Sequence, residues 1–203
     1  MSSSSIIKDI ESLCATGLAS VAYYYFDFKD AGKQERRGFL SSLLTQLCAC
    51  SHRGYDILSS LHGAHGNGSR QPSEVDLMRC LKEVLAFPGC GRVYIIVDAV
   101  DESPNRPGIP SPREKVLWLI KELVDLRHPD IRVCITSRPE VDIRTVLEPL
   151  ASRTVSLHDE RGQRNDIINY VKSVVESDPN MRKWRREDRQ LVIDSLSQKA
   201  TGM

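Results

Sequence analysis

The sequence predicts an α/β fold: a mostly parallel sheet with helices on both faces, three layers in all, followed by a partial all-α region. Three observations carry that expectation. Val93-Tyr94-Ile95-Ile96-Val97 is an apolar run rich in β-branched types and closed by Asp98, the composition of a strand buried on both faces of a parallel sheet. Two more strand-like runs, Val21–Phe28 and Ile131–Thr136, are separated from it by stretches whose apolar residues recur at helical spacing. Ser73 with Asp76, and Ser111-Pro112-Arg113-Glu114, have the form of capping boxes that open two of those helices.

In chain order, Ile6, Ile7, Ile10, Leu13 and Cys14 mark an amphipathic helix that ends near Gly17. Val21–Phe28 (VAYYYFDF) follows as a strand, with Asp27 near its end either a solvated acid, the reading preferred, or one facing a nucleotide, and Lys29–Arg37 is a polar connection. Phe39, Leu40, Leu43, Leu44 and Leu47 form a strongly apolar helix face running to about Ala49, and a short helix covers Tyr55–Leu61. His62–Gly68 reads as a loop on its glycine content; His62 and His65, lacking a rigid helix and a third ligand, do not make a metal site. A helix through Leu77, Leu81, Val84 and Leu85 stops at Pro88-Gly89-Cys90-Gly91, which turns the chain into the central strand. Ser103–Pro110 is a proline-rich connection, and Val116, Leu117, Leu119, Ile120, Leu123 and Leu126 stripe the helix after it. Beyond Ile131–Thr136 come a short helix over Val141–Leu147 and a last strand, Arg153–Leu157. From Asp159 the composition turns polar and helical: Asn165 caps one helix, Asp178-Pro179-Asn180 breaks it, and Arg186–Ala200 forms another.

Composition narrows the function. A formal charge of +1 over 203 residues gives no general pull toward nucleic acid or an anionic membrane. The basic run Arg182–Arg186 is followed at once by Glu187 and Asp188, a solvated helix face. The six cysteines are scattered without metal-ligand spacing and read as buried thiols of a reducing compartment, and no apolar run is long enough to cross a bilayer; a cytoplasmic protein is expected.

The chemistry concentrates at two strand ends, the edge where parallel sheets place ligands. Past Val97 come Asp98, Asp101 and Glu102, and like charges so crowded repel unless a cation or a bound group offsets them. This is the form of a Walker B site, in which the first acid holds Mg²⁺ and a later one positions an attacking water; the plainer alternative is a strand ending in a solvated acidic turn. The second strand end, Thr136-Ser137-Arg138-Pro139, presents small hydroxyls and one guanidinium, a planar donor suited to a phosphate oxygen. Its plainer alternative is a surface arginine paired with a nearby acid.

YIIVDAVDE, CITSRPE followed by Asp142-Ile143, and Asn165-Asp166-Ile167 with Tyr170-Val171 resemble the NACHT domains of STAND nucleotidases, particularly the fungal-type nephrocystin-3-like N-terminal domain. The resemblance covers nearly the whole chain and implies a P-loop NTPase core with an attached helical subdomain, ATP or GTP with Mg²⁺ as cofactor, and a nucleotide-driven change between closed and oligomeric forms. Carried over by position, Asp98 matches the acid that holds Mg²⁺, Asp101 and Glu102 the acids that orient the hydrolytic water, and Arg138 the sensor arginine near the terminal phosphate.

The departures are equally specific. Members of that family carry, upstream of the helix equivalent to Ile6–Thr16, a strand and a G-x-x-x-x-G-K-[ST] loop whose amides and lysine supply most of the phosphate grip. These 203 residues contain neither: Gly32-Lys33 lacks the glycine cradle and is followed by Gln34, and the hydroxyls of Ser2–Ser5 would attract an anion only weakly. The expectation is therefore a fragment of a larger STAND protein, with an NTPase-like core over 1–158 and the start of a helical subdomain over 159–203. Two readings follow. One is a piece of a nucleotide-dependent signalling switch, with weak or no hydrolysis by itself; the other is a non-catalytic interaction module that self-associates or binds other STAND proteins. A third treats Asp98, Asp101 and Glu102 as metal ligands of a hydrolase that uses no nucleotide.

Overall fold

The computed structural model describes residues 3–86, 91–106, 110–156 and 161–199. They fall into two compact units, 1–151 and 152–203.

The first unit is built on three parallel strands in the order β1 (Ala19–Tyr25), β2 (Arg92–Asp98), β3 (Ile131–Ile135). β2 lies in the middle, with Ala19 opposite Arg92 on one side and Val93 opposite Ile131 on the other. Both faces of β2 are covered, as its composition demands. On one face Ile96 packs against Ile7 and Ile10 of α1 (Ser3–Cys14), with Val21, Tyr23, Tyr25, Tyr94 and Cys134 partly buried beside them. On the other, Val93, Ile95 and Val97 join Ala22, Tyr24 and Phe26 in the main core. That core is closed by α2 (Arg36–Cys48), α3 (His52–Ala64), α4 (Glu74–Leu85) and α5 (Pro112–Asp125); α2, α4 and α5 contribute Phe39, Leu40, Leu43, Leu44, Leu81, Leu117 and Ile120 among its fully buried side chains, and α3 adds the buried Ile57 and Leu61. The result is three layers, α/β/α, with a thin layer on one side.

Local sequence explains most boundaries. Ser73 accepts the Asp76 N–H at 3.2 Å while the Asp76 carboxylate accepts the Ser73 N–H at 3.1 Å, and Ser111 and Glu114 close the same box on α5 at 3.1 and 2.7 Å. α6 (Val141–Leu147) has the bounds its pattern predicts. Gly91, just before β2, has φ +59°, and a Cβ there would lie 2.5 Å from the Leu18 carbonyl oxygen, so only glycine lets the two strands begin side by side.

Several expectations need correction. β1 spans Ala19–Tyr25 and not Val21–Phe28; Asp27 lies past it and accepts the Lys29 N–H at 2.8 Å, forming a turn. α3 runs from His52 to Ala64, so His62 and Gly63 are helical; the backbone turns left-handed only at Gly66, Asn67 and Gly68, which do the breaking. Arg153–Ser156 forms no strand, although its composition suits one; among the described residues no ladder partner faces it, and an extended run without one gains no sheet. Leu157 lies outside the described residues. Of the cysteines, Cys48 and Cys80 are buried as expected, Cys14 and Cys134 are half-buried, and Cys50 is exposed two residues past α2; Cys90 lies outside the described residues.

The second unit holds α7 (Arg161–Ser177) and α8 (Arg186–Lys199), which pack on each other. Asn165 is inside α7 and does not cap it, because the helix already begins at Arg161. The Asp178 carboxylate accepts the N–H groups of Asn180 and Met181, at 2.7 and 3.1 Å, and so ends the helix where the Asp-Pro-Asn break predicts. No helix among the described residues is long and apolar enough to cross a membrane.

Candidate functional site

Because β2 and β3 are parallel with Val97 opposite Ile135, their carboxyl ends leave the sheet together. The turns beyond them are stitched to each other. The Thr136 N–H donates to the Val97 carbonyl at 2.9 Å, the Val100 N–H donates to the Thr136 carbonyl at 3.1 Å, and the Ala99 N–H donates to Thr136 Oγ1 at 3.1 Å. Ala99 is left-handed at φ 55°, a conformation that costs a non-glycine residue about 1–2 kcal/mol. Beyond Ala99 the chain buries Val100 and winds Val100–Glu102 into a single 3₁₀ turn.

The predicted residues come together on this rim, each with its own neighbours. Asp98 Oδ1 accepts the hydroxyls of Thr136 and of Ser3, the latter at 2.5 Å; Ser3 is the buried first residue of α1. Asp101 Oδ1 accepts the Arg138 N–H at 3.0 Å, and its Oδ2 lies 3.4 Å from Arg138 Nε. The Asp101 side chain is 9% exposed, whereas that of Arg138 is 82% exposed. Glu102 turns the other way: its carboxylate accepts the Phe28 N–H at 3.2 Å and ties the acidic turn to the segment after β1. Burial raises the pKa of the Cys134 thiol on β3, and the nearby Asp98 charge adds to the shift.

Two participants were hidden from sequence reasoning. Ser3 stands in a serine run with no local feature to single it out. Arg113 looked like one residue of a helix start, yet it is 5% exposed and reaches the acidic turn and, beyond the arginine turn, Glu140 and Asp142. The available signal was a cation in the first turn of α5, where the helix dipole opposes it.

Asp98 with the hydroxyls of Ser3 and Thr136 is an all-oxygen set, the donor chemistry of a small hard cation such as Mg²⁺. Among the described residues no group of three or more His, Cys, Asp or Glu could hold a metal, so Mg²⁺ here would draw its remaining oxygens from water and a bound phosphate. For that phosphate the rim offers one exposed guanidinium, Arg138. The set fits the cation; a complete phosphate cradle is not among the described residues. A cleft of about 640 Å³ lined by Arg36, Met78, Lys82 and Glu122 shares no residue with the rim. Its charges already answer one another, with Lys82 2.7 Å and Arg36 3.7 Å from Glu122.

No curated protein and no solved structure matches the chain. The model of the family described as Nephrocystin 3, N-terminal, matches residues 1–138, which takes in α1, all three strands and both strand-end turns. A match over more than half of the sequence, ending on the rim arginine itself, shows that the chain belongs to the nephrocystin 3 N-terminal family.

Proposed function

We propose that this chain carries the Mg²⁺-facing and terminal-phosphate-facing rim of a nucleotide-dependent switch of the NACHT type found in STAND proteins, acting in the cytoplasm on ATP or GTP. The observation that supports this reading is the placement of Asp98, Asp101 and Arg138 on one sheet edge, with the Asp98 carboxylate oriented by two hydroxyls. Asp98 would hold the metal and Arg138 would answer the terminal phosphate; of the two acids that would orient the attacking water, Asp101 faces Arg138, while Glu102 is engaged by the Phe28 N–H. The Arg138 guanidinium is 82% exposed and its contact with the Asp101 carboxylate is long, at 3.4 Å, which leaves its remaining donors open to an arriving phosphate. Hydrolysis by this chain is weak or absent, since its sequence contains no G-x-x-x-x-G-K-[ST] loop to supply amides and a lysine to the phosphates.

Calorimetry with Mg²⁺ and ATP or GTP tests the reading on two proteins: this chain, and the same chain preceded by a strand and a glycine-rich loop. Magnesium-dependent binding by the extended protein, weak binding by the other, and loss of the magnesium dependence in Asp98→Ala are the expected results. Turnover at ordinary enzyme rates by the unextended chain, indifferent to Asp98→Ala, would refute the site. If neither protein binds nucleotide and the chain captures its own copies instead, the interaction module is the better description.

A further inference from the structure

Arg113 is the one charged residue among the described residues that is buried as a whole, at 5% exposure. A guanidinium taken out of water is costly unless its fork of donors is occupied. Here it is occupied from two directions. Nε donates to the Ser103 carbonyl at 2.9 Å and Nη2 to the Asp101 carbonyl at 2.6 Å, both on the acidic turn after β2. Nη1 donates to the carboxylates of Glu140 and, at 3.3 Å, Asp142, both on the segment after β3. The Arg113 N–H itself donates to Pro104 O at 3.1 Å.

Helix formation alone does not account for these contacts. Arg113 sits in the first turn of α5, where a positive charge opposes the dipole, and Glu140 stands at the N-cap of α6 without capping it. Both residues forgo a local role to meet across two loops. Glu140 lies two positions beyond Arg138, and Asp101 turns its carbonyl to Arg113 and its carboxylate to Arg138. Arg113 thus grips the backbone of the acidic turn on one side of the Asp101–Arg138 pair and the carboxylates that follow the arginine turn on the other.

We infer that Arg113 is a positioning residue: it straps the backbone of the acidic turn to the Glu140 and Asp142 carboxylates just beyond the arginine turn, so that the Arg138 guanidinium can leave Asp101 for an anion while its main chain stays in register with Asp98. The inference rests on the proposed nucleotide site for the identity of that anion, and on the observed network alone for the pinning.

The test uses the whole chain and reads two quantities. Amide exchange followed by NMR reports the Arg138 N–H, whose bond to Asp101 depends on the pinning; titration with Mg²⁺ and ATP reports the anion. In Arg113→Lys, which keeps the charge but loses the planar fork, exchange at Arg138 rises roughly tenfold while the Ile95, Ile96 and Val97 amides keep their protection. ATP affinity falls with it, and Arg138→Ala lowers affinity while residue 138 keeps its amide protection. Should Arg113→Lys fail to fold, Glu140→Gln with Asp142→Asn cuts the same strap from its half-exposed end and is read at the same amide. Unchanged exchange at residue 138, or loss of protection spread evenly through the sheet, would overturn the inference. Absence of ATP binding by the unaltered chain, with the amide response intact, would refute the nucleotide reading and leave the pinning standing.

Discussion

Tyr24 shows how one side chain couples the core to solvent conditions. Its ring packs edge-on against Phe26 at 4.9 Å, its hydroxyl donates to the Gly32 carbonyl at 3.4 Å, and burial, with Asp30 adding, pushes its pKa up to about 12. The unfolded chain releases this proton near pH 10, as an ordinary tyrosine does. Stability tied to the neutral phenol is therefore whole below about pH 10 and is lost as the pH climbs toward the folded value. Thermal melts of Tyr24→Phe and the unaltered chain should diverge in slope between about pH 10 and 12, the unaltered chain falling more steeply. Parallel curves would contradict the shift. At the rim, Asp98, Asp101 and Arg138 were legible because strand ends of a parallel sheet converge whatever the loops do. Ser3 and Arg113 were not, since each works through partners distant in sequence, Asp98 for the first and Glu140 for the second.

Among the elements, β2 separates two cores of unequal size. Ile95 is fully buried in the large cluster beneath α2, α4 and α5, while Ile96, one residue on, fills the small cluster under α1. Truncation to alanine costs about 2–5 kcal/mol at such positions, and the spread reflects how far the surroundings can collapse. Ile95→Ala belongs at the upper end, because helices on several sides hold the cavity open; Ile96→Ala belongs at the lower end, because α1 alone can settle inward. Urea unfolding of the two variants checks the order, and equal losses would argue against the thin layer. Helix boundaries were readable wherever a side chain makes them, as Ser73 and Ser111 do. The proposed strand at Arg153–Leu157 was not decidable that way, because a strand exists only through its neighbour and composition names no neighbour.

For the whole molecule, the ladder sets the terms on which this chain becomes ordered. Its pairings join Ala19 to Arg92 and Val93 to Ile131, and none is a hairpin. Distant parallel pairings fold slowly, so refolding of the α/β unit should take on the order of milliseconds to seconds, not microseconds. Stopped-flow tyrosine fluorescence measures it, and a microsecond phase carrying the full amplitude would contradict the expectation. On a ribosome the same geometry becomes a waiting time. At roughly 5–20 residues per second, the tyrosine-rich segment Tyr23-Tyr24-Tyr25 emerges seconds before Val93–Val97 is made. During that interval a nascent chain holds a sticky aromatic segment with nothing to zip to, and chaperone occupancy of the stalled chain should peak there and fall once Asp98 clears the exit tunnel.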